Sequence, residues 1–360
     1  MRIAVDASRA DWPRPTGTER YARELCTGFG ADPGPHQWTF YSGTPLRREI
    51  IGQARNTVLS APRLWTHVGL AGAMVRDQPD ALFVPAHVIP AIHPAASLVT
   101  VHDLGYLRYR LAYSPLAWIY LVMSTIWSAT VARTIICDSQ ATEGDLVQHI
   151  PAVRGKTRVV HLGVSPKFRP MGTAATEALG NGRDYLLFVG TMQPRKNLAR
   201  LLRAYKWASC NRGFPRLVIA GSPARDAERI GHLIDELGLT ERVWPVGYVA
   251  QEDLPALYSG ALAFVFPSLY EGFGLPLLEA MACGTPVIAG RNSSMPEIVG
   301  DSGLLVDASN TEAISEAIRR VVDDRDLRQR LIARGQTRAA AFTWSATVAR
   351  VRAAIEDAAG

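Results

Sequence analysis

The 360-residue chain is 48% hydrophobic and carries a formal net charge of +6. That length is enough for two domains with substantial cores. The basic residues are scattered with no run of five, so nucleic acid is not an expected partner; a phosphorylated ligand or an anionic lipid suits the charge better.

In chain order, residues 3–7 read as a strand at once, where a targeting segment would show a basic and then an apolar stretch. Strand-like runs follow at 38–42, 81–85, 98–102, 134–138 and 158–162, with helical patterns at 18–29, 63–76, 115–132 and 141–149. Residues 111–132 carry no charge, but Pro115 and several Ser and Thr dilute them. They are expected as a buried or half-buried helix and not as a membrane span, with interfacial membrane contact as the alternative. Residues 165–184 are rich in Pro and Gly and read as an interdomain linker. The scheme then repeats, with strands at 185–189, 216–220, 243–246, 261–266, 286–289 and 303–306. Helices are expected at 197–209, 224–237, 252–258, 276–283 and 311–323, and two more, 326–341 and 344–358, close the chain. Such alternation implies the α/β class: two doubly wound domains, each a parallel sheet covered on both faces. Ligands of such sheets bind beyond the carboxyl ends of the strands, here in a cleft between the domains. Cys26, Cys137, Cys210 and Cys283 lie far apart with no metal-ligand spacing and read as free thiols of a reducing cytoplasm.

The strongest chemical signal runs from Phe266 to Ile288, where a buried strand enters a Gly-rich turn and a helix starts near Pro276. Gly272 and Gly274 would let backbone N–H groups approach a ligand, and the helix start would favour an anion. Glu271 and Glu279 stand eight positions apart around this turn, and a carboxylate suits vicinal hydroxyls of a sugar or ribose. Taken singly, Glu279 could serve only the helix dipole and Glu271 only the solvent. A second signal is Gly190 through Leu198, where Arg195 and Lys196 follow a strand and could neutralise a departing diphosphate. Their bland alternative is a solvated basic helix start. Gly17 opens a helix after the first strand, where Thr16 or Thr18 could be an ordinary cap. His102 follows a buried strand and could be a structural histidine fixed by Asp103.

The 266–288 run, with Met295-Pro296-Glu297-Ile298-Val299 downstream, resembles the signature of the family 4 glycosyltransferases, which have the GT-B fold and an E-x7-E motif. The resemblance is sharp from Gly190 to Asp307 and loose before Thr100. It implies two Rossmann-like domains: 1–165 for the acceptor and 166–342 for the nucleotide sugar, with the 343–360 helix crossing back to the first. It places Glu271 by the donor sugar and Glu279 on the ribose hydroxyls, and matches the family's Arg/Lys pair to Arg195 and Lys196. His102 resembles the family's cleft histidine, and Gly17 its flexible glycine loop. The implied catalytic set is His102, Arg195, Lys196 and Glu271; the donor-binding set adds Gly17, Gly190, Gly272, Phe273, Gly274, Leu275 and Glu279. By position Gly221 and Tyr248 border the nucleotide base.

The resemblance also implies retention at the anomeric carbon, by front-face attack with the leaving phosphate taking the proton. No Asp-x-Asp motif is evident, so no metal or other cofactor is expected. The donor reads as GDP-mannose, with UDP-sugars and dTDP-rhamnose as alternatives, and the acceptor as a saccharide or lipid-linked saccharide. The setting is cytoplasmic, with peripheral membrane contact through the first domain left open. A GT-B epimerase would interconvert donors without an acceptor. A phosphorylase would need a pyridoxal-phosphate lysine, and neither Lys196 nor Lys206 has that context. A dehydrogenase would show Gly-x-Gly-x-x-Gly after the first strand, where this chain has Asp6-Ala-Ser-Arg-Ala-Asp-Trp. A non-catalytic subunit would bind the donor without turnover.

Overall fold

The computed structural model describes all residues except 14, 61–64, 87, 111–112, 173–184, 210–212 and 224–225. Most of the expected linker, Cys210 and the first residues of the helices expected at 224–237 and from 111 therefore lie outside the described residues. The chain forms two units: Met1–Gly163 with Thr343–Gly360, and Val164–Phe342.

The first unit is built on a parallel sheet of seven strands: β1 (Arg2–Asp6), β2 (Gln37–Ser42), β3 (Arg55–Val58), β4 (Ala81–Val84), β5 (Ala96–Val101), β6 (Thr134–Cys137) and β7 (Thr157–Val159). Their order is β3-β2-β1-β4-β5-β6-β7. β4 and β6 are buried along their whole length, as central strands covered on both faces must be. Sequence order reverses between β1 and β4, so the loops leaving those two strands diverge and open a crevice at their carboxyl ends. Helix Gly17–Ala31 lays Tyr21, Leu25, Cys26 and Phe29 inward at helical spacing. Helix Trp344–Ala359 packs beside it, burying Val348, Val351, Ala354 and Ile355.

The second unit has a six-stranded parallel sheet: β8 (Tyr185–Val189), β9 (Arg216–Ala220), β10 (Val243–Gly247), β11 (Ala261–Phe266), β12 (Val287–Gly290) and β13 (Leu304–Val306). Its order, β10-β9-β8-β11-β12-β13, puts the reversal between β8 and β11. The adjoining helix Leu198–Ala208 buries Leu198, Leu201, Leu202 and Tyr205, a stripe that packs against helix Thr311–Asp323. Asn310 caps the latter by accepting from the N–H groups of Glu312 and Ala313.

Two details go beyond the expectations. Within the helical pattern expected at 63–76, Trp65–Leu70 is a π-helical turn and Ala71–Asp77 an α-helix, residues 63 and 64 lying outside the described ones. β3 was not anticipated, because Arg-Asn-Thr-Val shows no apolar run and the strand lies at the sheet edge. The uncharged helix, Pro115–Val131, is half-buried: Ser128 and Ala129 are fully covered, and Trp118, Leu121, Val122 and Val131 pack against the core. Among the described residues no helix is long and apolar enough to cross a membrane. Cys26, Cys137 and Cys283 are unpaired and buried.

Candidate active site

In the second unit the loops leaving β8 and β11 meet at the reversal point. The first forms a short 3-10 turn, Pro194–Lys196. The second runs from Pro267 to Gly274 and starts helix Leu275–Ala282. They are stitched together by the Leu269 N–H donating to the Arg195 carbonyl at 2.7 Å. Asn197, in the left-handed region at φ 61°, donates from its amide to the Pro267 and Ala308 carbonyls. That fixes where the two cations point.

Both point at Glu271. The Lys196 ammonium donates to Oε1 at 2.6 Å, and an Arg195 guanidinium N–H donates to Oε2 at 3.1 Å. Ser268 also donates to Oε1 at 2.6 Å. Burial pushes the Glu271 carboxyl up, but the charges of Lys196 and Arg195 outweigh it and hold the group below its ordinary 4.5. Oε2 accepts from Arg195 and retains room for one further donor. Arg195 also donates to the Tyr270 carbonyl at 3.0 Å, and the Lys196 ammonium lies 4.8 Å from the centre of the Phe266 ring.

Gly274 caps the helix with φ 107°, a conformation that favours glycine. Phe273 and Leu275 are buried, with Phe273 edge-on to Phe342 at 6.2 Å. The Ser294 hydroxyl donates to the Phe273 carbonyl at 2.8 Å and to that of Glu271 at 3.0 Å, so the turn is held from behind. Glu279 is 1% exposed, and its carboxylate accepts from the Tyr258 hydroxyl at 3.1 Å. It lies in the second half of the helix, where it does not serve the positive end of the dipole. Gly190 and Gly221 directly follow neighbouring strands with their backbones pressed together, and Tyr248 is half exposed just after β10.

The first unit carries a separate constellation. His102 follows β5, with its Nδ1 2.7 Å from an Asp138 oxygen and its Nε2 2.9 Å from the Pro85 carbonyl. Both neighbours are acceptors, so the doubly protonated ring satisfies both. Burial pushes His102 down, but Asp138 and Asp103 more than offset it and the net direction is up. Burial pushes Asp138 up against the pull of His102. The partner is therefore Asp138, not the adjacent Asp103, which accepts from the Gly105 N–H. Tyr21 stands edge-on to the imidazole at 5.0 Å and bonds the Thr100 hydroxyl. Gly17 is the first residue of its helix, behind Thr16, which forms a capping box with Glu19. A cavity of about 770 Å³ lies beside the carboxyl ends of β1, β2 and β3, lined by Ser8, Asp11, Trp12, Ser42, Leu59 and Trp65 among others.

Ser268, Ser294, Tyr258 and Asp138 escaped the sequence reading. The two serines sit in or beside the quoted motifs, but nothing local marks their partners, and Tyr258 and Asp138 join their sites only through the fold.

The glycosyl transferases group 1 family model matches residues 173–338. O-antigen chain mannosyltransferase B of Escherichia coli is 41% identical over 164 residues, 45% of this chain and 43% of that one. The chain thus spans under half the length of that relative. Sucrose-phosphate synthase from Thermosynechococcus elongatus superposes with a TM-score of 0.80 at 22% identity, over 99% of this chain and 98% of its own. The Anabaena protein Alr3699/HepE, in complex with UDP and glucose, gives 0.77 at 16% identity over 99% of both chains. The chain thus matches the glycosyl transferases group 1 over residues 173–338 and has the GT-B fold of these structures.

Proposed function

We infer that this chain is a retaining glycosyltransferase that moves a mannosyl group from GDP-mannose to a saccharide or lipid-linked saccharide of a cell-surface polysaccharide. The reading rests on one observation above all: Arg195 and Lys196 converge on Glu271 at the strand-order reversal. A nucleotide diphosphate is an anion that this pair of cations suits. Glu271 keeps both cations in place before the donor arrives, so little reorganisation is needed as charge develops on the leaving phosphate. The spare acceptor capacity of Oε2 takes a sugar hydroxyl. Glu279, aligned by Tyr258, takes the ribose hydroxyls. The turn from Gly272 to Leu275 offers its N–H groups to the sugar, Gly190 borders the diphosphate, and Gly221 and Tyr248 border the base.

In the first unit, His102, oriented by Asp138, stands by the donor sugar, and Gly17 lines the approach to the phosphates. The Trp12–Trp65 cavity offers aromatic walls and hydroxyls of the kind that hold an acceptor ring. Front-face attack by the acceptor hydroxyl, with the leaving phosphate taking its proton, gives retention and needs no metal. Mannose as the sugar draws on the Escherichia coli relative; the UDP and glucose of the Anabaena complex keep a UDP-sugar as the alternative donor. The setting is the cytoplasmic face of the plasma membrane, where lipid-linked acceptors are held.

The test is incubation of the full chain with GDP-mannose, UDP-glucose and dTDP-rhamnose, reading released nucleotide. GDP release is expected, surviving chelator, and Arg195→Ala should lower it about 100-fold or more. NMR of the product should show the α-anomer retained. An inverted anomer, or release undiminished in Arg195→Ala, overturns the reading.

A further inference from the structure

The loop leaving β12 lies against the loop leaving β11 and is fastened to it. Asn292 donates from its amide to the Ser268 carbonyl at 3.3 Å. Gly290, the last residue of β12, permits that approach: an added Cβ would lie 2.7 Å from the same carbonyl oxygen. Ser293 and Ser294 follow, and both aim their hydroxyls at the backbone of the turn from Glu271 to Gly274.

Ser293 takes both polar backbone groups of Glu271. Its hydroxyl accepts from the Glu271 N–H at 3.2 Å and donates to the Glu271 carbonyl. Ser294, wholly buried, shares its one proton between the Glu271 carbonyl at 3.0 Å and the Phe273 carbonyl at 2.8 Å. Ser293 does this from φ 53°, a left-handed conformation that glycine would take at less cost. Strain of this kind persists where a side chain is needed in one place. Here that is a hydroxyl set between two backbone atoms of Glu271.

The consequence lies on the other side of the turn. In a planar trans peptide the carbonyl and the following N–H point in opposite directions. The Glu271 carbonyl is drawn toward the β12 loop by two hydroxyls, and the Phe273 carbonyl by one. The Gly272 and Gly274 N–H groups are therefore turned away from that loop. The turn presents donors outward and keeps these acceptors behind it, which suits the oxygens of a sugar or phosphate. Clamping the N–H and the carbonyl of Glu271 also fixes the φ and ψ from which its side chain sets out toward Arg195 and Lys196.

We propose that Ser293 and Ser294 are positioning residues of the transfer reaction: through the backbone of Glu271 and Phe273 they set the Glu271 carboxylate and the N–H groups of the turn for the donor sugar before it binds. They act through the backbone and not on the donor itself. This role rests on the glycosyltransferase reading of the site and gives its preorganisation a source.

The experiment compares the full wild-type chain with Ser293→Gly, Ser293→Thr and Ser294→Ala. It reads the urea midpoint, the nucleotide released from GDP-mannose, UDP-glucose and dTDP-rhamnose, and the affinity for free GDP, UDP and dTDP. Ser293→Gly loses the strain together with the hydroxyl, so its midpoint should stay near wild type while turnover falls about ten-fold or more. Ser293→Thr keeps the hydroxyl but places a β-branched residue at positive φ, so its midpoint should drop while turnover of the folded protein stays near wild type. Ser294→Ala should lower turnover about ten-fold or more. Affinity for the free nucleotide should hold in all three, because the turn serves the sugar. Undiminished turnover in Ser293→Gly overturns the proposal and leaves the transferase reading standing. So does turnover that merely follows the urea midpoints across the variants, or that falls only in step with nucleotide affinity. A wild type that releases nucleotide from none of the donors overturns both.

Discussion

Glu271 is shared between two cations that lie far from it along the chain, and its burial decides what a change there does. Removing one partner of a buried ion pair leaves the other charge uncompensated, commonly at a cost of about 3–5 kcal/mol. Glu271→Gln keeps the shape and a carbonyl oxygen for Ser268 but leaves Lys196 buried without its counterion. Turnover read as released nucleotide is expected to fall about 100-fold or more. Stability should fall too, in a pH-dependent way. The folded-state value lies below 4.5, so the carboxylate's contribution is full above about pH 4.5 and is lost as pH falls through the folded value. Urea midpoints of wild type and Glu271→Gln should therefore differ at pH 7 and draw together in acid; a constant gap overturns the assignment. At this scale the sequence exposed the chemistry and hid its supports. Arg195, Lys196, Glu271 and Glu279 stand in local motifs, and a motif is legible along the chain. Ser294 behind Glu271, or Asp138 at His102, depends on which strand ends become neighbours, and that is decided by the whole sheet.

Strand ends place the site, and one glycine shows how tightly. A Cβ added to Gly221 would sit 2.0 Å from the Gly190 carbonyl oxygen, at a φ of +150°. The two residues directly follow β9 and β8, and β8 leads straight into the loop that carries Arg195 and Lys196. Gly221→Ala must push those strand ends apart. A stability loss of about 1–3 kcal/mol is expected, together with a raised KM for the donor. Gly231→Ala is the control, since nothing lies within 4 Å of its added methyl and it sits in helix Ala227–Glu236; it should gain up to about 1 kcal/mol. Equal urea midpoints for the two variants would refute the argument. Elements were legible in the same uneven way. Central strands such as β8 and β11 announce themselves as apolar runs, whereas edge strand β3 reads as polar coil. Helix Pro115–Val131 was legible as a half-buried helix, but which of its faces is covered depends on the elements packed beside it.

Across the molecule, chain order and packing order part company at the last helix. The second unit is continuous in sequence, Val164–Phe342, while the first is completed only by Thr343–Gly360. Gly163 and Trp344 mark the junction: a Cβ on Gly163 would lie 2.1 Å from the Trp344 nitrogen, so only a bare backbone lets the two segments meet. From there Thr347 donates to the His161 carbonyl at 2.9 Å, Val348 fills the space over Gly28, and Ile355 is wholly buried. The first unit thus cannot finish its core until the end of the chain is present, whereas the second has all its own sequence by Phe342. A defect in the last helix should consequently fall on one unit. Ile355→Ala removes a buried aliphatic side chain and is expected to cost the first unit about 2–5 kcal/mol. Scanning calorimetry should show one transition moved down in temperature, while nucleotide affinity measured below that transition stays at the wild-type value. The Arg195–Lys196–Glu271 cluster draws all its supports from the second unit. A parallel loss of nucleotide affinity would mean that the diphosphate is held by residues of both units.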